Sequence, residues 1–271
     1  MTRPHGVRAQ SFGSIAESYD RFRPGPPGEA LDWVLQDNCQ SALDLGAGTG
    51  AMTRVLLRRV PAVTAVEPDP RMREVLTERV PGATVVAGRA EEIPLPDASV
   101  DAVLVSSAWH WMDPERAPYE VARVLRPGGR FGLLWNGRDR QVRWVADLEE
   151  IVRAGTVTEE EKAAAESTHR DEVDGAAPPQ DRRPRAVRVR MPDDAPFGDT
   201  ATHVERWSRP ISPEDVVGLI GTYSRIIVLP EVQRQALLER VADFTRTDPA
   251  LSGRDTVDLP MTCRCWRATR A

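Results

Sequence analysis

The chain has 271 residues, 41% of them hydrophobic, with 36 basic against 41 acidic side chains and a formal charge of −5 at neutral pH. That length allows one large α/β domain, or a domain of roughly 150 residues with an elaboration. The acidic balance argues against a nucleic-acid partner, which needs a basic excess. No apolar run approaches the roughly 18 residues of a membrane span, and residues 1–6 lack a signal peptide's apolar stretch, so a cytoplasmic protein without membrane attachment is expected.

Taken in chain order, residues 11–23 place Phe12, Ile15, Ala16 and Tyr19 on one helical face, and Pro24-Gly25-Pro26-Pro27 ends that segment. A second helix over about 29–35 leads into the short apolar strand 41–45. Glycine then occupies every second position, at Gly46, Gly48 and Gly50, and Val55, Leu56 and Val60 follow at helical spacing. Residues 63–67 read as a second strand. Asp69 is placed to N-cap a helix through Met72, Val75 and Leu76. Val85 and Val86 mark a third strand, and residues 100–105 form an apolar run of buried-strand type. A helix over 115–125 stops at Pro127-Gly128-Gly129, and a strand follows over 130–135. Alternating β and α elements predict a parallel sheet wrapped by helices on both faces.

Beyond Asn136 the pattern predicts a solvated helix over 158–177 and a Pro-, Arg- and Asp-rich connection over 178–195, whose Arg182, Arg183 and Arg185 read as a solvated loop. A strand near 204–207, helices over 213–220 and 230–244, and a terminal strand over 258–269 complete the chain. The implied organisation is a lid with a leading helix (1–38), an α/β core (39–150), a variable insertion (151–200), and C-terminal elements (201–271) that rejoin the sheet. Cys263 and Cys265 share one strand face and read, with Cys39, as structural thiols. The four histidines form no ligand-spaced cluster, so no metal is expected.

The strand–glycine loop–helix unit is the setting of a nucleotide or nucleoside site, because glycine permits close backbone approach and a helix N-terminus offers free N–H groups. Its spacing meets the loose dinucleotide fingerprint, with Glu67 about 20 residues on, where an acid takes ribose hydroxyls. Asp44 points elsewhere, since its carboxylate precedes the first glycine and would meet a pyrophosphate unfavourably. A carboxylate beside glycine-rich backbone suits a ligand that joins a cationic amine to a nucleoside.

Residues 44–50 (Asp-Leu-Gly-Ala-Gly-Thr-Gly) resemble the first motif of class I S-adenosylmethionine-dependent methyltransferases. Val66-Glu67-Pro68-Asp69 with Met72 resembles the second motif, and residues 88–94 the adenine-side loop. Residues 100–111 and Val124 through Gly129 resemble the segments around the fourth and fifth strands. Within the family the likeness is to the small-molecule group that includes trans-aconitate methyltransferase, through residues 12–20 and 109–113. The resemblance implies a Rossmann-like, seven-stranded, mostly parallel sheet with an antiparallel last strand, a lid helix at the N-terminus and a helical insertion. It further implies S-adenosyl-L-methionine as cofactor and S-adenosyl-L-homocysteine as product.

By the same resemblance, Asp44, Gly46, Ala47 and Gly48 would line the methionine end of the cofactor and Glu67 would accept from both ribose hydroxyls. Pro68 and Met72 would flank the adenine, Ala90 and Glu91 would meet its edge, and Ser106 with Ser107 would lie beside the sulfonium. Tyr19 and Arg23 would belong to a lid, shielding the methyl group and pairing with the cofactor carboxylate. Trp111, Trp135, Asn136, Tyr223 and Arg225 are the acceptor-side candidates, and His110 the candidate base or acceptor-positioning group. Each has a structural alternative: Asp44 as a turn carboxylate, Glu67 as a helix-entry residue, Glu92 in place of Glu91, His110 packed between tryptophans, Tyr19 and Arg23 on a surface helix, and Arg225 solvated. The expected reaction is direct displacement onto oxygen of a small organic acceptor, a carboxylate or hydroxyl, by a monomer or homodimer. The alternatives are transfer to carbon or nitrogen in a natural-product pathway, or cofactor binding without catalysis.

Overall fold

The computed structural model describes residues 20–156 and 189–271. Tyr19, most of the helical segment expected over 11–23, the helix expected over 158–177 and most of the connection after it lie outside the described residues. Seven strands form one sheet in the order β3-β2-β1-β4-β5-β7-β6, with β7 antiparallel. They are β1 (Ser41–Leu45), β2 (Ala62–Val66), β3 (Thr84–Val86), β4 (Val100–Ser106), β5 (Leu125–Arg138), β6 (Phe197–Ile211) and β7 (Val257–Arg270). β1 pairs in parallel with both β2 and β4, in registers that place Asp44 opposite Ala65 on one side and Leu104 on the other. The helices are α1 (Gly28–Val34), α2 (Thr53–Leu56), α3 (Pro70–Arg79), α4 (Ala117–Val124), α5 (Arg143–Thr156), α6 (Pro213–Gly221), α7 (Ser224–Ile227) and α8 (Glu231–Thr247).

Alternation along the central strands divides the core into two layers. Leu43, Leu45, Val103, Val105, Phe131 and Leu133 face one side, where Val121 and Val124 of α4 cover them. Ala42, Ala102, Leu104 and Leu134 face the other, beneath Leu31 and Val34 of α1 and Leu56 of α2. Each fully buried Leu, Val or Phe contributes about 1.5–3 kcal/mol, which fixes the strand registers. Cys263 and Cys265 lie in the second layer, with sulfurs 3.8 Å apart.

Two strands exceed their expected lengths. β5 begins at Leu125, and residues 126–129 bulge between the pairs Val100–Leu125 and Ala102–Arg130. Gly128 takes φ +73 there, so the proline and glycines bend the strand where they were expected to precede it. β6 spans 15 residues where sequence marked four, because it lies at the sheet edge and its half-exposed residues carry little apolar signal.

The chain resolves into two compact units. One comprises Met1–Gly137, Ala186–Ser208 and Met261–Ala271, and holds the sheet core. The other comprises Arg138–Arg185 and Arg209–Pro260. Within the second, α8 packs on α5 and α6, burying Val145, Leu148, Val216, Leu219, Leu237 and Val241. Ser212 caps α6 by accepting from the Asp215 N–H at 3.0 Å. Among the described residues no helix is long and apolar enough to cross a membrane.

Candidate active site at the glycine loop

β1 ends by carrying Asp44 into the interior, where it is 1% exposed. The Thr53 hydroxyl, in the first turn of α2, donates to its Oδ2 at 2.6 Å, and the Thr53 backbone also favours the charged form. Burial nevertheless raises the Asp44 pKa to about 7; the Thr53 bonds oppose that rise and the charge of Glu67 adds to it. Asp44 is therefore a carboxylate held at the margin of ionisation, which an arriving cation would stabilise.

Glu67 follows β2 and is also buried, and burial is the main cause of its raised pKa. It accepts from the Gly48 N–H through Oε2 and from the Asp69 N–H through Oε1, both at 2.9 Å. Each oxygen keeps a further lone pair, so the group offers two adjacent acceptors, the pattern a vicinal diol requires. Asp69 caps α3 by accepting from the Arg71 N–H at 2.9 Å, which holds the turn after Glu67.

The loop between the two acids differs from glycine to glycine. Gly48 has φ +58, and a Cβ there would meet nothing within 4 Å. Gly50 has φ +86, and a Cβ would strike Leu76 and Val80. At Gly46, with φ +72, a Cβ would meet Ala108 and Met112. Open backbone at position 48 thus lies between segments closed by packing. The Thr49 hydroxyl is buried there without a hydrogen-bond partner.

The segment after β4 covers the loop. Ser107 adopts φ 55, uncommon for a side-chain-bearing residue, and its N–H donates to Leu134 O at 2.8 Å. Trp109 is buried edge-on to Phe131 at 5.3 Å. His110 is exposed, with its ring 4.4 Å from that of Trp111; it is not enclosed between Trp109 and Trp111. Glu91 accepts from the Asp113 N–H at 2.8 Å and so ties the loop after β3 to this segment. Ala90 and Met72 are buried, and Pro68 is exposed.

At the end of β5, Trp135 packs against the core and Asn136 donates to Pro24 O at 3.2 Å. The Asn136 Oδ1 is buried without a partner. Arg23 lies next to that anchor, and Asp20 pairs with Arg54 of α2 at 2.6 Å, so the residues leading into α1 are tied to the glycine-loop helix. Arg23, Asp44, the glycine loop, Glu67, Ser106, Trp111 and Trp135 all belong to the first unit. Tyr223 and Arg225 belong to the second unit, where Arg225 reaches Glu149 at 3.4 Å.

Sequence reasoning did not find Thr53, Met112, Arg138 or Glu149. Thr53 carries a detectable signal, since a hydroxyl in the first turn after the loop can return to the acid that ends β1. Arg138 and Glu149 carry none, being a single arginine and a single acid among many.

A family described as a methyltransferase domain matches residues 43–133. Across all 271 residues the chain is 41% identical to an uncharacterized methyltransferase of Mycobacterium tuberculosis, covering 100% of each. A methyltransferase-like protein of Schizosaccharomyces pombe is 29% identical over 261 residues, covering 93% of each. A candidate type II methyltransferase structure from Anaeromyxobacter dehalogenans aligns with a TM-score of 0.57 at 26% identity, over 92% of this chain and 98% of that one. The residues present fit the cofactor of such enzymes: a buried acid for an ammonium, a pair of acceptors for a ribose, open backbone at Gly48 and an unpartnered hydroxyl at Thr49. Full-length likeness and the fold together establish that the chain belongs to the class I S-adenosylmethionine-dependent methyltransferases.

Proposed function

We propose that this enzyme methylates an oxygen of a small organic acceptor by in-line displacement, and that it stands with the small-molecule group its sequence resembles. The pair of buried carboxylates, Asp44 and Glu67, set beside the open backbone of Gly48 supports the cofactor half of the reading, and the acceptor half rests on the resemblance of residues 12–20 and 109–113. When bound, S-adenosylmethionine supplies an electrophilic methyl group on a sulfonium. Asp44 takes the ammonium with Gly46, Ala47 and Gly48 around it, and Arg23 takes the carboxylate; Tyr19, outside the described residues, keeps the methyl-shielding role that the resemblance implies. Glu67 accepts from the ribose hydroxyls, Pro68 and Met72 flank the adenine, and Ala90 with Glu91 reads its edge. Ser106 lies at the carboxyl end of β4, beside the reacting centre, as open α/β sheets place their ligands.

Alignment and exclusion of water supply most of the acceleration in such a displacement. Trp111 and Trp135 form the acceptor's apolar surroundings. An oxygen that is already ionised needs no base, which suits the exposed position of His110. His110 then orients the acceptor, and removes a proton where the acceptor is a neutral hydroxyl. The test pairs calorimetry with transfer of a labelled methyl group to a panel of carboxylic acids, phenols, alcohols and amines. Binding of S-adenosylhomocysteine and label on oxygen are expected. Label found only on carbon or nitrogen, or cofactor binding without any turnover, would overturn the reading.

A further inference from the structure

β6 is the last strand of the sheet. Among the described residues β7 pairs with it on one side and no strand pairs with it on the other, so every second residue turns its backbone N–H and C=O away from the sheet. Edge strands are commonly blunted by lysine, proline, a bulge or shortness. β6 is 15 residues long and carries no lysine. Its two interruptions lie towards its ends, at Asp199 with φ 49 and at Pro210. Residues 200–208 between them form a continuous edge of about 30 Å at roughly 3.4 Å per residue, and all of them belong to the first unit.

The side chains along this edge are self-complementary. When two identical strands pair antiparallel, facing residues are equidistant from the two-fold axis, and the axis passes through a residue because only outward-turned backbone groups bond to one another. With the axis at Val204, His203 faces Glu205 of the partner subunit, and Glu205 faces the partner's His203. Within one chain these two side chains already pair, with Nε2 and Oε2 3.0 Å apart, and they keep 36% and 27% exposure. The His203 ring is stacked on Trp33 of α1 with centroids 5.3 Å apart, which holds it in place before association. Two such pairs meeting across the axis form a ring of four groups in which acid and imidazole alternate. In the same register Ala201 faces Trp207 of the partner subunit, a small residue against a large one, and Thr200 faces the partner's Ser208, a hydroxyl pair. Moving the register by one pair in either direction sets Glu205 or His203 against its own copy, and like charges directly opposite are destabilising.

We propose that the free edge of β6 is an interface with a second copy of this chain, the two edges pairing antiparallel about Val204 into one sheet continuous through both copies. The contact is isologous and consumes the edge on each copy. β3, at the opposite edge of the sheet, has only three residues and offers no matching ladder, so assembly stops at two. The glycine loop follows β1, four strands away from β6. The interface therefore stands independently of the methyl-transfer reading.

Sedimentation equilibrium of the full chain tests this. A reversible monomer–dimer equilibrium is expected between about 1 μM and about 500 μM. Glu205→Lys sets a lysine against His203, and His203→Glu sets two acids against each other; each alone should weaken dimerisation at least tenfold. Mixed together, the two variants place opposite charges face to face only between unlike chains, so a heterodimer is expected. Neither variant regains its internal pair in that mixture, so the rescue reports the register between chains and not the fold of one. With oxidised glutathione, Val204→Cys is expected to form a disulfide with its own copy and Thr202→Cys is not; the three native cysteines are buried and do not compete. A wild-type chain that stays monomeric throughout the range would overturn the assignment. So would a dimer that both charge variants leave unchanged, a mixture that fails to associate, or cross-linking through Thr202→Cys in place of Val204→Cys. Should a charge variant fail to fold, wild-type sedimentation and the two cysteine variants still decide.

Discussion

Asp44→Asn separates what the glycine-loop acid does for the fold from what it does for the ligand. An ordinary aspartate has a pKa of about 3.9, and folding raises that of Asp44 to about 7 because the carboxylate is buried. The folded state therefore binds more protons than the unfolded state between these values, and this group lowers stability progressively as pH rises through that window. Roughly three pKa units correspond to about 4 kcal/mol of penalty, complete above pH 7 and absent below about pH 4. Asparagine removes the charge but loses an acceptor for one of the Thr53 bonds, at about 1–2 kcal/mol. At pH 8 the ligand-free variant should gain about 2 kcal/mol, whereas at pH 5 it should be level with or below the parent. Urea unfolding at both pH values reads the difference. Calorimetry on the same preparations should show affinity for S-adenosylhomocysteine reduced at least tenfold, about 1.4 kcal/mol. A stability change identical at the two pH values, or undiminished affinity, would refute the reasoning.

Three further outcomes are expected. Gly48→Ala should cost only about 1 kcal/mol of stability, from its positive φ, yet abolish most cofactor affinity, while Gly50→Ala should cost about 2–4 kcal/mol by adding the collision with Leu76; equal losses in urea unfolding would refute this contrast. Thr53→Val removes the 2.6 Å bond to Asp44 and should raise its pKa further. Because a cationic ligand prefers the ionised acid, the rise of affinity with pH should move upward in Thr53→Val, measured by calorimetry between about pH 6 and pH 9. His110→Ala should leave cofactor affinity intact, lower kcat about 100-fold with hydroxyl acceptors and change it little with carboxylic acids; an equal loss with both would remove proton transfer from its role.

The sheet centre and the cofactor side were legible because their signals are local. The apolar run of β4, the acid and glycines after β1 and the acid after β2 are each contiguous in sequence, and the fold only has to bring them to one edge. Asp44 and Glu67 were read as ligand groups, but their burial and the Gly48 bond to Glu67 were not. Those depend on the packing of α3 and on the turn after β2. β6 was underestimated because an edge strand of alternating polar and half-exposed residues lacks the apolar contrast that marks β4. Arg138 and Glu149 lie eleven residues apart on different elements, and nothing in an arginine-rich sequence distinguishes that pair before the chain has folded.

The contact of Leu76 with the space above Gly50 couples the hydrophobic core to the glycine loop. Evolution cannot exchange volume freely between the two positions. Shortening Leu76 would make room for a side chain at position 50, but the φ of +86 would still penalise one. The constraint runs in one direction: position 50 stays glycine whatever α3 does, whereas a change at position 76 alters the packing against the glycine loop. A substitution at this buried position should therefore register first as a change in cofactor dissociation rate.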